Sequence, residues 1–177
     1  VKEIGVTPEV RRNKLRRLIE SKKIVRVLEA HSGLSGLVVE KTSLIKNNIR
    51  EEFDAMWSSS LTDSSLRGKP DTESVDHSLR LASINEIFEV TTKPLIFDGD
   101  TGGKIEHFAS RINSLERIGV SGIIIEDKIG AKKNSLLSSN IPQFQDDPKQ
   151  FALKIKEGKN AQITKDGVFE NDNVISR

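Results

Sequence analysis

The sequence predicts an α/β fold built on a parallel sheet, and three observations predict it. Short apolar runs, such as Leu95-Ile96-Phe97 and Ile123-Ile124-Ile125, alternate with longer stretches whose apolar residues recur at helical spacing. The runs are apolar throughout, as in strands buried on both faces. No internal repeat is visible, so the alternation is one of single elements. Two architectures satisfy it: an open doubly wound sheet and a (β/α) barrel. The GxGxxG fingerprint is missing from the first strand–helix turn, which disfavours a dinucleotide-binding sheet.

Each element has its own justification. Arg12 to Ser21 reads as a helix, with Leu15, Leu18 and Ile19 on one face. Residues 24–31, "IVRVLEAH", read as the first strand, and "SGLVVEKTSL" as a helix after the Gly33 turn. Residues 53–59, "FDAMWSS", are the second strand, and the Ser-, Gly- and Pro-rich residues 60–71 read as a loop. Val75 to Thr92 has helical spacing through Leu79, Ala82, Ile87 and Val90. "PLIFDGD" is the third strand, Ile105 to Ile118 a helix stopped by Gly119, and "SGIIIED" the fourth strand. A long polar stretch, residues 128–147, leads to a helix over Pro148 to Ala161, with Asp147 as cap and Pro148 in the first turn. "NVISR", residues 173–177, reads as a fifth strand.

Composition narrows the function. The 177 residues are enough for one domain, taken as 1–177, with 35% hydrophobic and 31% charged residues. A net charge of +2 and few aromatics give no reason to expect a nucleic-acid partner. The basic run "RRNKLRR", residues 11–17, reads as a solvated helix face. The absence of cysteine excludes disulfides, thiolate catalysis and cysteine zinc sites. With no membrane-spanning apolar stretch and no signal-like start, the expected location is the cytoplasm.

Ligands in parallel α/β folds bind at the carboxyl ends of the strands. Those ends read Glu29-Ala30-His31, Ser58-Ser59-Ser60, Asp98-Gly99-Asp100, Glu126-Asp127-Lys128 and Arg177, so acids gather on one rim. On a continuing strand Asp98 and Asp100 would point the same way, and their repulsion would call for a cation. Oxygen ligands without Cys select Mg²⁺ or Mn²⁺. Gly99, Gly102 and Gly103 would let backbone approach a ligand. The plainer reading is that Asp100 or Thr101 caps the next helix. Lys128, Lys132, Lys133 and Asn134 above such a rim suit an anionic, phosphorylated substrate, or form a solvated basic loop. His31 is either near the site or a hydrogen-bonded structural residue; His77 and His107 are expected at the surface of helices.

The segments "EAHSGLSGLVVEK", "WSSSLTDSSLRGKPD", "DGDTGG", "GIIIEDK", "KKNS" and "FALKIKEGKNAQ" occur in one order across nearly the whole chain. In that order the chain resembles the phosphoenolpyruvate mutase family of the isocitrate lyase superfamily. The resemblance implies a (β/α) barrel and a Mg²⁺-dependent phosphomutase interconverting phosphoenolpyruvate and phosphonopyruvate, in phosphonate biosynthesis. It implies Asp98 as the direct metal ligand, Asp100 and Glu126 reaching the metal through water, and Asp71 beside the transferring phosphoryl group. Ser59 and the backbone at Ser60 and Leu61 would hold the pyruvate portion, with Trp57 as a pocket wall. Lys132 and Asn134 would close over the substrate, and Arg177 would grip its phosphoryl group or carboxylate. A small-molecule substrate and a homo-oligomer, without nucleic acid or membrane, are the partners implied.

Rival readings follow from the same residues. Phosphonopyruvate hydrolase shares the metal site, and Asn134 favours the mutase. The superfamily's lyases of the isocitrate type use a cysteine, which this chain lacks. Gly130-Ala131 stand where the family has Phe-Pro, which is expected to loosen closure. Only about five of eight strands are counted, so the barrel is expected to be incomplete, lacking the family's last three strand–helix units. That keeps a reading of another class: a non-catalytic partial barrel acting as an assembly partner.

Overall fold

The computed structural model describes residues 5–130, 132–133 and 144–164. The expected fifth strand, Asn134, Ala131 and Arg177 lie outside them. The described elements, in chain order, are α1 (Pro8–Ser21), β1 (Val27–Glu29), α2 (Gly33–Lys41), β2 (Ser43–Lys46), β3 (Ile49–Glu52), β4 (Ala55–Ser58) and α3 (Ser60–Ser65). Then come α4 (His77–Val90), β5 (Leu95–Asp98), α5 (Ile105–Ile118), β6 (Gly122–Ile124), β7 (Lys128–Ile129), β8 (Phe144–Gln145) and α6 (Pro148–Ala161).

The central sheet has the order β1-β4-β5-β6, and all three pairings are parallel. Register brings Leu28, Met56 and Leu95 level on one face, with Ser58, Phe97 and Ile123 one step further along it. That face packs on Ile84 and Ile87 of α4 and Leu115 of α5, and these residues form the main core. The opposite face carries Glu29, Trp57, Ile96, Asp98 and Ile124. Nothing among the described residues covers it fully, and Ile124 is 39% exposed. Burial on both faces, expected from the apolar runs, therefore holds for only one.

Helix ends follow local chemistry. Pro148 opens α6 behind Asp147, whose carboxylate accepts from the backbone N–H groups of Lys149 and Gln150. Asp76 caps α4 through Ser78 N at 2.7 Å. Gly119 ends α5 at φ 101°, the left-handed stop that its position predicts. Helix α6 lies close on α5 because Gly158 has no side chain; a Cβ there would stand 2.5 Å from Phe108.

Three expectations need correction. The basic run is not a solvated face throughout, because Arg11 and Arg12 are buried. Arg11 donates to the carbonyls of Lys93 (2.7 Å), Thr91 (2.6 Å) and Phe88 (3.2 Å) and lies 4.0 Å over the Phe88 ring. Arg12 donates to Glu116 O at 2.7 Å. Both guanidiniums thus tie α1 to backbone carbonyls at element ends, which offsets their burial. Second, residues 43–44, expected to end a helix, instead open an antiparallel hairpin over residues 43–52. Asn47 and Asn48, at φ 52° and 62°, make its two-residue turn. Third, residues 60–65 are helical, with the Ser59 hydroxyl accepting from Thr62 N.

Candidate active site at the strand ends

The carboxyl ends of β4 and β5 meet the start of α3, and a hydrogen-bonded cluster joins them. Asp98, the last residue of β5, accepts through Oδ2 from Ser60 N at 3.0 Å and Ser60 Oγ at 2.7 Å. Its Oδ1 accepts from Asp100 N at 3.1 Å. Asp98 therefore fixes both the first turn of α3 and the turn that follows β5.

The strand does not continue to Asp100. Asp100 has φ 54°, so strand alternation does not set its direction. Gly99 is required for packing instead of ligand approach: a Cβ there would stand 2.7 Å from Ile123 Cδ1. Gly102 and Gly103 face Phe108 and Arg111. Neither Asp100 nor Thr101 caps α5, whose cap position is Lys104, without a side-chain bond. Thr101 instead donates from N (3.2 Å) and Oγ1 (2.5 Å) to Glu73 Oε1.

Lys132 closes the cluster. Its Nζ donates to Ser60 Oγ at 2.6 Å, to Asp71 Oδ1 at 2.9 Å and to Asp100 Oδ1. Lys132, Asp71, Asp100 and Ser60 are all buried. Burial pulls the Lys132 ammonium down, but the Asp100 carboxylate and then Asp71 outweigh it, so its pKa is raised. The solvated-loop reading of the lysines thus fails for Lys132.

Beneath the rim lies Arg80, which sequence reasoning missed. Its Nε donates to Asp63 Oδ2 at 2.8 Å, and NH1 donates to Asp98 O at 2.7 Å and Asp100 Oδ2 at 3.4 Å. The guanidinium lies 4.1 Å over the Phe97 ring. The signal was in the pattern: Arg80, Ile84 and Ile87 fall on one helical stripe and are the buried residues of α4.

The other expected residues divide. Trp57 lies on the open sheet face, level with Glu29 and Ile96. Ser59 caps α3, and the Ser60 N–H is committed to Asp98. Leu61 follows in α3, half-buried. Glu126 joins through its backbone, N–H to Asp100 O at 2.7 Å, while its carboxylate pairs with Lys128 Nζ at 2.7 Å. His31 Nδ1 lies 3.2 Å from both Glu29 carboxylate oxygens. His77 is not a plain surface residue: its Nε2 is buried with no hydrogen-bond partner among the described residues, and its ring meets Phe97 edge-on at 5.9 Å. His107 is exposed, as expected.

Among the described residues, no three His, Cys, Asp or Glu groups converge as a metal site. The donor chemistry nevertheless fits a hard cation. The cluster offers only oxygen, from Asp71, Asp98, Asp100 and Ser60, and an ammonium already stands among three of those oxygens as a stand-in.

Comparison with known proteins identifies the family of the chain. The sequence profile of the family described as phosphoenolpyruvate phosphomutase matches residues 15–170. Phosphoenolpyruvate phosphomutase of Tetrahymena pyriformis is 32% identical over 149 residues, 84% of this chain and 46% of that protein. That of Streptomyces hygroscopicus is 30% identical over 161 residues, 88% and 47%. The chain thus spans about half the length of the curated relatives it matches. Among solved structures, phosphoenolpyruvate phosphomutase from Streptomyces platensis subsp. rosaceus superposes with TM-score 0.76 at 27% identity, covering 86% of this chain and 50% of that one. A phosphonopyruvate hydrolase complex with oxalate and Mg²⁺ superposes at 0.72 with 23% identity, covering 91% and 50%, a likeness of fold alone. The parallel sheet matches about half of such barrels, so the barrel described is incomplete.

Proposed function

The chain belongs to the phosphoenolpyruvate phosphomutase family, and from that premise we propose that it carries the rim of a phosphomutase interconverting phosphoenolpyruvate and phosphonopyruvate. The observation that carries the reading is the convergence of Asp71, Asp98, Asp100, Ser60 and Lys132 at the carboxyl ends of β4 and β5. Catalytic groups of parallel barrels sit at this end.

Asp98 and Asp100, with Glu126 through a rotated side chain, would hold Mg²⁺, which supplies positive charge to the enolate oxygen of pyruvate. The chain's own residues supply position. Asp98 fixes the first turn of α3, and with it the Ser59, Ser60 and Leu61 segment proposed to meet the pyruvate portion. Trp57 would wall the pocket from the open sheet face. Lys132 supplies a cation of the buried cluster that, unlike Arg80, is not stacked on the packing beneath it, and would meet the phosphoryl group beside Asp71. Asn134 and Arg177 are proposed to complete that grip and to exclude water. Water at the departing phosphoryl group would give the hydrolase outcome.

The reading is tested by calorimetric titration with oxalate, a planar mimic of the pyruvate enolate, in the presence of Mg²⁺. Binding by the wild type that is lost in Asp98→Asn supports it. A folded chain that takes up neither Mg²⁺ nor oxalate favours the assembly-partner role. Phosphonate biosynthesis, cytoplasmic location and a homo-oligomer remain parts of the same proposal.

A further inference from the structure

The Lys132 ammonium has three N–H donors, and the structure uses all three: Ser60 Oγ at 2.6 Å, Asp71 Oδ1 at 2.9 Å and Asp100 Oδ1. The residue is 5% exposed, among partners 4%, 2% and 8% exposed. Among the described residues, this ammonium pairs with Asp71 and Asp100, and Asp100 also meets one arm of Arg80, whose Nε is committed to Asp63. Ser60 Oγ links the ammonium to Asp98, since it donates to Asp98 Oδ2 while accepting from Lys132.

A divalent cation needs the same oxygens. It cannot take Asp98 and Asp100 while an ammonium holds Asp100 Oδ1 and lies one hydroxyl away from Asp98, because two cations at that separation repel strongly in a buried setting. Removing the ammonium without replacement is also costly, for the buried Asp100 carboxylate then keeps only the longer Arg80 contact at 3.4 Å among its described partners. One cation or the other satisfies the cluster.

We propose that Lys132 is the built-in counter-ion of the metal-free rim and exchanges with the divalent cation. Cation binding at Asp98 and Asp100 displaces Nζ from its seat between Asp71 and Asp100. The displaced ammonium becomes available to an anionic substrate. Cation loading thereby precedes productive substrate binding, and Lys132 sets the apparent metal affinity. This inference rests on the metal reading of the proposed function.

The test needs no substrate and no turnover. Mn²⁺ is titrated into the wild type, Lys132→Met and Lys132→Arg, with free ion followed by electron paramagnetic resonance and folding by circular dichroism. Lys132→Met is expected to bind Mn²⁺ about tenfold tighter or more, since the competing charge is gone; Lys132→Arg is expected to bind no tighter than wild type. On the wild type alone, trace acetylation of Lys132 with acetic anhydride, read by peptide mass spectrometry, is expected to accelerate when Mg²⁺ is added. This second readout decides the matter if Lys132→Met does not fold. Equal or weaker Mn²⁺ binding by a folded Lys132→Met, or acetylation unchanged by Mg²⁺, overturns the exchange. If Mn²⁺ binding is then still lost in Asp98→Asn, the metal reading stands and only the exchange falls. If no variant binds Mn²⁺, both fall.

Discussion

Arg80 and Asp63 form a buried ion pair beneath the rim, Nε to Oδ2 at 2.8 Å, with side chains 5% and 4% exposed. The same guanidinium holds the Asp98 carbonyl and stacks on Phe97. One cation therefore connects α3, α4 and the end of β5. Removing it leaves Asp63 with only the longer Arg67 contact at 3.8 Å and the Ser58 hydroxyl among its described partners, and loosens the turn that presents Asp98 and Asp100. Arg80→Met is expected to destabilise the fold by about 3–5 kcal/mol, the usual cost of breaking a buried ion pair. Asp63→Asn in the same chain is expected to return part of that loss. A urea-denaturation double-mutant cycle checks it, and strictly additive losses would refute the coupling.

Gly99 tests how tightly the site rests on its floor. A Cβ at this position would meet Ile123 at 2.7 and 2.9 Å and Ile125 at 3.0 Å. Gly99→Ala is expected to cost about 1–3 kcal/mol through overpacking. Ile123→Val removes the nearest atom and is expected to recover part of this. The check is the shift in urea midpoint for the single and double variants.

Glu40 gives a pH dependence away from the site. Its carboxylate accepts from Thr92 N at 3.0 Å and Thr92 Oγ1 at 2.8 Å, joining α2 to the segment before β5. Burial pushes its pKa up, but the Thr92 hydrogen bonds and the Lys93 charge outweigh burial, so the net shift is downward. A carboxylate whose folded pKa is depressed stabilises the fold above its unfolded value, and that stabilisation is lost as pH falls through the folded one. Glu40→Gln is expected to cost about 1–2 kcal/mol at neutral pH. The difference from wild type should shrink as pH drops below the normal glutamate range. A difference in denaturation midpoint that stays constant between pH 7 and acid would contradict this.

Much of this architecture is legible in the sequence, for physical reasons that particular residues show. Helices α5 and α6 appear with their expected bounds because Gly119 stops one and Asp147-Pro148 starts the other. The acid-bearing strand ends are visible because Asp98 follows directly on an apolar run. The hairpin was obscured because β2 and β3 are largely exposed, so no burial pattern marks them. Its real signal was Asn47-Asn48, two residues that tolerate positive φ. Arg11 and Arg12 were illegible as core residues because sequence shows charge and not the carbonyls that satisfy it, whereas Arg80 shares the stripe of Ile84 and Ile87. The internal neutralisation of Asp71 and Asp100 was hidden for a further reason: Lys132 reaches them across 61 and 32 residues of chain.

The proposed function has this rim transfer a phosphoryl group between the carbon and oxygen of pyruvate. Phosphorus NMR of the chain with phosphonopyruvate and Mg²⁺, against Asp98→Ala as the blank, tests it most directly. A phosphoenolpyruvate signal is expected to grow with wild type and to be absent with the variant. Orthophosphate as the sole product, or no turnover by a folded chain that binds Mg²⁺ and oxalate, would contradict it.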